Sequence, residues 1–367
     1  MRTALLEAGH TPLALVDDVE AYPPGPGQVL VRVHYCGLCH SDLTMIESDT
    51  NPTLPLVLGH EAAGVVEAVG AGVRSVAPGD HVVSVAMAGC GRCYFCVRNQ
   101  QTICIEARTF GTGLFPDGSP ALHRGDQIVY RGLGVGGFSQ HSLTTESGVV
   151  KIDDDIPLDL AAVIGCAVQT GVGSVLNLAK VEEGATVLVM GLGGIGISVV
   201  QGARIAGASR IIASDPNAAR REAALHFGAT DVIDPTETDV IAACYEITKG
   251  IGVDYAFDAA GHHKLVEAGL FATRYGGTTV MVGAPPADQN ITIAPAVLAL
   301  VTEKKLMGTL YGTGNPLRSI PALLSLWRRG SLDLESMVSF RRPLDEINEG
   351  FDDLRAGRGI RTMLKLA

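Results

Sequence analysis

Clustered positive charge is missing from this sequence. Lys and Arg number 28 against 39 Asp and Glu, a formal net charge of −11, whereas binding a nucleic-acid backbone needs grouped cations. Nucleic acid is therefore excluded as the main partner. No purely apolar run reaches the roughly 18 residues of a membrane span, and residues 1–10 lack the charged-then-apolar pattern of a signal peptide. No membrane partner is expected, and the expected location is cytoplasmic. Charge is also sparse, 18 % of residues against 47 % hydrophobic, which excludes a disordered chain. Eight cysteines are present, but disulfide frameworks belong to small secreted domains. A chain of 367 residues can bury proper cores, so reduced thiols available to a metal are the better reading.

The length fits two domains. Up to about Val150 the chain shows valine-rich alternation broken by turn residues. Residues 28–33 and 64–69 read as strands, with Pro23, Pro24, Gly25, Pro26 and Gly27 punctuating the approach to the first. From about Gln169 the texture changes: short apolar strands at 186–190, 210–214, 256–258 and 278–283 alternate with Ala-rich helix-length stretches. That alternation predicts βαβ units in a doubly wound parallel sheet, an α/β fold with ligands at the carboxyl ends of the strands. Near the end, 343–355 reads as a helix and 361–366 as a strand.

Gly191-Leu192-Gly193-Gly194-Ile195-Gly196 follows the strand 186–190 and opens a helical pattern over 197–206. In that setting the glycines supply a tight turn, close approach to a pyrophosphate and a helix N-terminus facing it. The alternative is a glycine-rich turn with no ligand. Asp215 ends the next strand about 20 residues on, where a carboxylate accepts ribose hydroxyls and repels a 2′-phosphate. This selects NAD over NADP unless Arg220 or Arg221 compensates. Alternatively, Asp215 caps the Pro216-Asn217 turn.

Cys90, Cys93, Cys96 and Cys104 stand in one short loop, the first three at C-x-x-C-x-x-C spacing. Four thiolates close a tetrahedron around zinc with no open position, so the site would be structural; an iron–sulfur cluster is the other metal that such a set takes. Cys39, His60 and Cys166 are dispersed. Read singly, Cys36 and Cys39 fit a redox pair, His60 a core histidine and Cys166 a packed thiol.

Together with the segment Gly37-Leu38-Cys39-His40-Ser41-Asp42, with Ala161-Ala162-Val163-Ile164-Gly165-Cys166 before Thr170-Gly171, and with Val282-Gly283-Ala284-Pro285-Pro286, these residues resemble the zinc-containing alcohol dehydrogenases of the medium-chain dehydrogenase/reductase family. The resemblance runs nearly end to end, to Gly359-Ile360-Arg361-Thr362. Its flavour is that of bacterial members and of the liver-type and thiol-adduct formaldehyde dehydrogenase branch. It implies a mainly β GroES-like catalytic domain over 1–167, completed by 311–367, and a Rossmann domain over 168–310. It implies two zinc ions per chain: Cys39, His60 and Cys166 at a catalytic ion with an open fourth position, and the four-cysteine loop at a structural one.

The same resemblance places Glu61 close behind the catalytic metal, Asp42 as the acceptor that orients His60, and Ser41 as the group that takes the alcohol proton. It sends His40 and Arg361 to the cofactor diphosphate, and sets Val282 and Ala284 beside the cofactor with the fingerprint glycines, Ile195 and Arg220. Ala86, Phe138 and Leu310 would line the substrate pocket, where a small residue at 86 leaves room for bulky or aromatic alcohols. The loop retained between Cys104 and Phe138 implies a homodimer joined through sheet edges near 278–283 and 305–310. One position departs from the pattern: many members carry a histidine where this chain has Thr44, so the outer end of a proton relay is missing. The activity implied is NAD-linked interconversion of a primary or secondary alcohol with its aldehyde or ketone. The alternative on the same frame is a thiol-adduct formaldehyde dehydrogenase, and a weaker one is a non-catalytic zinc-binding protein.

Overall fold

The computed structural model describes residues 1–49, 51, 53–286 and 288–367. The chain divides into two compact units, one built from Met1–Cys166, Gly314–Ser325 and Leu334–Ala367, the other from Ala167–Thr313 and Leu326–Asp333. The sequence reading gave the whole of 311–367 to the first unit; instead residues 311–313 and Leu326–Asp333 belong to the second. There Gln201 binds Asp333 through both its amide groups, and Arg204 donates to the Ser331 carbonyl.

The first unit is mainly β. Gln28–Gly37 alternates as its sequence predicts, with Val29, Val31 and Val33 buried and Arg32 exposed. It pairs antiparallel with Glu61–Val69, His141–Thr145 and Arg361–Lys365. His81–Ser84, Val149–Lys151 and Val338–Pro343 complete this sheet. A second sheet runs Ala14–Val16, Thr3–Leu6, Leu56–Val57, Gln127–Arg131, Leu122–Arg124, Glu20–Ala21. The core between these strands gathers Leu5, Leu38, Leu58, Ala62, Phe138 and Phe351. The helix read at 343–355 is shorter than expected. Val338–Pro343 is a strand, Leu344–Glu346 a 3₁₀ turn, and the helix proper is Ile347–Arg355. Pro343, with no N–H to donate, ends that edge strand.

The second unit holds a six-stranded, all-parallel sheet. In spatial order its strands are Asp231–Ile233, Arg210–Ser214, Thr186–Met190, Val253–Asp258, Thr273–Met281 and Lys305–Gly308. The order reverses at Thr186–Met190, the earliest of these six strands in the chain, which makes its carboxyl end the switch point where such sheets bind ligands. Val187, Leu188 and Val189 of that strand are fully buried, as strands covered on both faces must be.

The helix Leu158–Ala179 corrects the expectation that no segment has the length and composition of a membrane span. It meets both criteria, but 89 % of its apolar window is buried inside the protein. It is not regular: it widens to π-helical geometry at Ile164–Val168 and again at Ser174–Ala179.

Candidate functional site

Cys39, His60, Glu61 and Cys166 converge, with one ligand atom from each lying within 4.8 Å of every other. All four side chains are buried, and three local devices deliver them. Cys39 is the N-cap of the helix His40–Ile46. His60 and Glu61 enter the strand Glu61–Val69 from Gly59, whose φ of +88° and close approach to the Phe138 ring exclude a side chain. Cys166 sits in the π-helical turn, and irregular turns of this kind recur at functional sites.

Asp42 fastens the first two together. Fully buried, it accepts hydrogen bonds from the backbone N–H of Gly59 (2.9 Å) and Cys39 (3.3 Å), and its Oδ1 lies 3.2 Å from Nδ1 of His60. With Nδ1 donating to Asp42, Nε2 is left as the lone-pair nitrogen. A hydrogen bond from Cys166, together with Arg361 and His60, holds the Cys39 thiol well below its usual range, against the effect of burial. The same shared proton and burial push Cys166 well above it. Two buried sulfurs converging with an oriented imidazole match the Cys₂His donor set of a catalytic zinc. The residues fit the ion that the sequence implied.

Glu61 and Arg361 close the back of this set. Burial pushes the Glu61 carboxyl up to about 8, and the Arg361 guanidinium opposes that shift. Nη2 of Arg361 stands 2.9 Å from the Glu61 carboxylate, while Nη1 donates to the Leu38 carbonyl at 2.8 Å. The sequence reading sent Arg361 to a cofactor diphosphate. In the structure it is buried and committed to Glu61, so its visible task is to compensate a carboxylate that stands among the metal donors. Gly37 makes the space, because a Cβ there would fall on the Glu61 carboxylate. This pairing was not anticipated from sequence.

Ser41 is exposed, with its hydroxyl 3.8 Å from the Cys39 sulfur, and His40 is the exposed first residue of its helix. Thr44 donates its hydroxyl to the His40 carbonyl at 2.9 Å. Cys36 lies outside the converging donors, with its thiol directed at the Gly37 carbonyl and raised well above the usual range by burial. Among the described residues no cysteine is in a disulfide.

The sulfurs of Cys90, Cys93, Cys96 and Cys104 form the second convergent set, again within 4.8 Å of one another. Backbone N–H groups of Ile105 and Cys96 hold Cys93 down to about 6, whereas burial lifts Cys96 to about 12. The set is thiol-only and closed, which suits a structural tetrathiolate ion.

In the second unit, Gly191 adopts φ +87°, and a Cβ on Gly196 would overlap the Gly191 carbonyl. Both glycines are thus required where the strand Thr186–Met190 turns into the helix Gly194–Ile205. Asp215 is 4 % exposed and accepts from the N–H groups of Leu192 and Asn217, each at 2.8 Å. The turn-capping role weighed for it is therefore present. Each carboxylate oxygen keeps a further lone pair for a ribose hydroxyl. Arg220 stands 4.0 Å from Asp215. Val282 and Gly283 donate to the Asp258 carbonyl at 2.9 Å, and Ala284 is exposed.

The three expected substrate-lining residues have different settings. Phe138 is fully buried in the first unit's core, edge-on to Phe351 at 6.0 Å, and so packs rather than lines a pocket. Leu310 is 45 % exposed and belongs to the second unit. Ala86 does line a cavity, together with Phe115, Arg131 and Thr144.

Comparison with known proteins gives a consistent picture. Residues 25–154 match the model described as an alcohol dehydrogenase GroES-like domain, and residues 194–327 match that of a zinc-binding dehydrogenase. An S-(hydroxymethyl)glutathione dehydrogenase of Escherichia coli O1:K1 / APEC is 38 % identical, covering 99 % of each chain. The solved benzyl alcohol dehydrogenase of Acinetobacter calcoaceticus is 32 % identical with a TM-score of 0.94, over 100 % of this chain and 99 % of that one. A zinc-binding dehydrogenase of Sinorhizobium meliloti 1021, solved bound to NADP, is 26 % identical with a TM-score of 0.79, over 100 % and 99 %.

Proposed function

The chain belongs to the zinc-dependent alcohol dehydrogenase family, and on that footing we propose that it transfers hydride between a primary or secondary alcohol and NAD. The observation that carries this reading is the convergence of Cys39, His60 and Cys166 around an Asp42-oriented imidazole. Bound there, zinc would supply Lewis acidity toward the alcohol or carbonyl oxygen. The chain's own residues do the rest. Asp42 fixes the His60 ring, the Cys39 and Cys166 sulfurs balance the ion's charge, and the Ser41 hydroxyl accepts the alcohol proton as it passes its own to water or to the cofactor ribose. Gly191, Gly193 and Gly196 let backbone approach the diphosphate, with the hydride acceptor supplied by the cofactor. The small Ala86 side chain supports bulky or aromatic alcohols.

A thiol adduct of formaldehyde is the second reading, favoured by the relative that shares 38 % identity. A substrate panel decides between them: cofactor reduction by aromatic and aliphatic alcohols, against formaldehyde with and without a low-molecular-weight thiol. Turnover confined to formaldehyde plus thiol would overturn the alcohol reading.

Cofactor choice rests on Asp215. A 2′-phosphate would meet this buried carboxylate, and like charges at close range disfavour the phosphorylated cofactor. The wild type is expected to prefer NAD. Asp215→Gly, which leaves Arg220 without its carboxylate neighbour, should raise NADP efficiency relative to NAD by about tenfold or more, the size of one lost charge clash of about 1.4 kcal/mol. Steady-state efficiencies with both cofactors test this, and a wild type that prefers NADP refutes it.

We also propose a homodimer. The edge strand Lys305–Gly308 leaves one side of the parallel sheet unpaired. Near it in the chain, Val297, Leu298, Val301, Leu306 and Leu310 are 40–74 % exposed. A second copy pairing the same edge would cover both features. Sedimentation should give a dimer and Leu306→Glu should shift it toward monomer; a wild-type monomer contradicts the proposal.

A further inference from the structure

Arg131 is a cation placed where a protein seldom leaves one. The residue is 6 % exposed, its Nη1 donates to the Leu143 carbonyl at 2.9 Å, and its Nε has no partner. The guanidinium lies 4.3 Å over the centre of the Phe115 ring. Among the described residues no carboxylate comes within ion-pair distance of it. Burial alone pulls it down to about 10, so it stays charged at neutral pH. A buried charge without a counter-charge is unfavourable, and it ordinarily signals a partner that arrives from outside.

The geometry supplies a place for that partner. Arg131 lines a cavity of about 70 Å³ in the first unit, several times the roughly 10–15 Å³ that one water needs on that measure and enough for a carboxylate group. The buried Thr144 and the hydroxyl-bearing Thr145 and Ser147 share the wall. Two negative groups also border the cavity. Glu106 is already paired with Arg92 at 2.8 Å, and Cys90 belongs to the tetrathiolate set. Ala86 forms another wall, two residues beyond the strand His81–Ser84. The Ser84 carbonyl of that strand lies 3.3 Å from where a Cβ on Gly165 would stand, beside Cys166. The cavity therefore borders Ala86, the residue that the family resemblance sets in the substrate pocket.

We propose that the cavity at Arg131 seats the carboxylate of an acid-bearing alcohol or aldehyde, so that the substrate's far end is anchored by Arg131 and the nearby hydroxyls. This rests on the alcohol dehydrogenase reading above and narrows its substrate class. Arginine suits the role because its planar donors match a carboxylate.

The test uses zinc-loaded enzyme and two alcohols of similar size, 4-(hydroxymethyl)benzoate and 4-methylbenzyl alcohol. The wild type should use the acid at least about tenfold more efficiently, and benzoate should inhibit competitively with the alcohol where benzamide does not, a contrast that requires no variant. Arg131→Met should bring the efficiency ratio of the two alcohols toward one, and Arg131→Lys should keep part of it. Equal efficiencies in the wild type, equal inhibition by benzoate and benzamide, or equal losses on both alcohols in Arg131→Met would each overturn the proposal. So would loss of the structural zinc from Arg131→Met, which would make the residue a counter-charge to the Cys90 lobe. If neither alcohol is oxidised, it is the alcohol reading itself that fails.

Discussion

Cys39→Ala is expected to reduce alcohol oxidation efficiency by about a thousandfold or more and to leave one zinc per chain where the wild type holds two. The donor set at Cys39, His60 and Cys166 has no spare sulfur: the fourth convergent group is Glu61, a carboxylate already facing Arg361. A metal in this role contributes several kcal/mol of charge stabilisation, and each 1.36 kcal/mol is tenfold in rate, so losing about 4 kcal/mol gives the stated factor. Cys36→Ala is the matched control, since Cys36 is equally buried but directs its thiol at a carbonyl outside the site. Metal analysis and steady-state kinetics on both variants check the assignment. Full zinc content with near-normal turnover in Cys39→Ala would exclude Cys39 as a ligand.

Cys104→Ala should act on stability instead. Its sulfur is fully buried, accepts the Cys90 N–H at 3.3 Å and lies 3.8 Å from the Cys93 sulfur. Removing it opens a closed shell whose binding free energy is also folding free energy. A loss of about 4 kcal/mol, at roughly 2–4 °C per kcal/mol for a domain of this size, lowers Tm by about 8–16 °C. Calorimetry with zinc counting is the measurement. An unchanged Tm with both ions retained would show that Cys104 is not a ligand of the structural ion. The two variants should separate cleanly: Cys39→Ala silences the enzyme with modest loss of stability, and Cys104→Ala loosens the fold first.

What could be read from sequence depended on how local each feature is. The glycine fingerprint and the four-cysteine loop announce themselves because their residues act within one turn or one lobe. The catalytic donors do not. Cys39 and His60 are brought together by the register that sets Gly37 opposite Glu61, and Cys166 arrives from a distant helix; only the family resemblance joined them. Arg361 resembled any late cation, and nothing near it in the chain points to Glu61. Phe138 is an aromatic that suits either a pocket or a core, and the side chain missing at Gly59 decided for the core. Val338–Pro343 carries two arginines and a proline, so its edge strand lacked an apolar signature. The Cys166 helix is buried nearly all round and changes pitch twice, so no 3.6-residue rhythm could mark its face.

The strand Arg361–Lys365 sets the order in which the molecule can be completed. It pairs with Gln28–Gly37 on one side and Val338–Pro343 on the other, and it carries the guanidinium that compensates Glu61. During synthesis its partner strand emerges more than three hundred residues earlier, on the order of half a minute at about 5–20 residues per second. Through that interval residues 167–313, nearly all of the second unit, are made, while the stretch 35–37 waits with one side unpaired and Glu61 without its cation. The nascent first unit thus has an open strand edge that invites pairing with other chains. Its metal donors gain their final electrostatic surroundings only when this late strand docks.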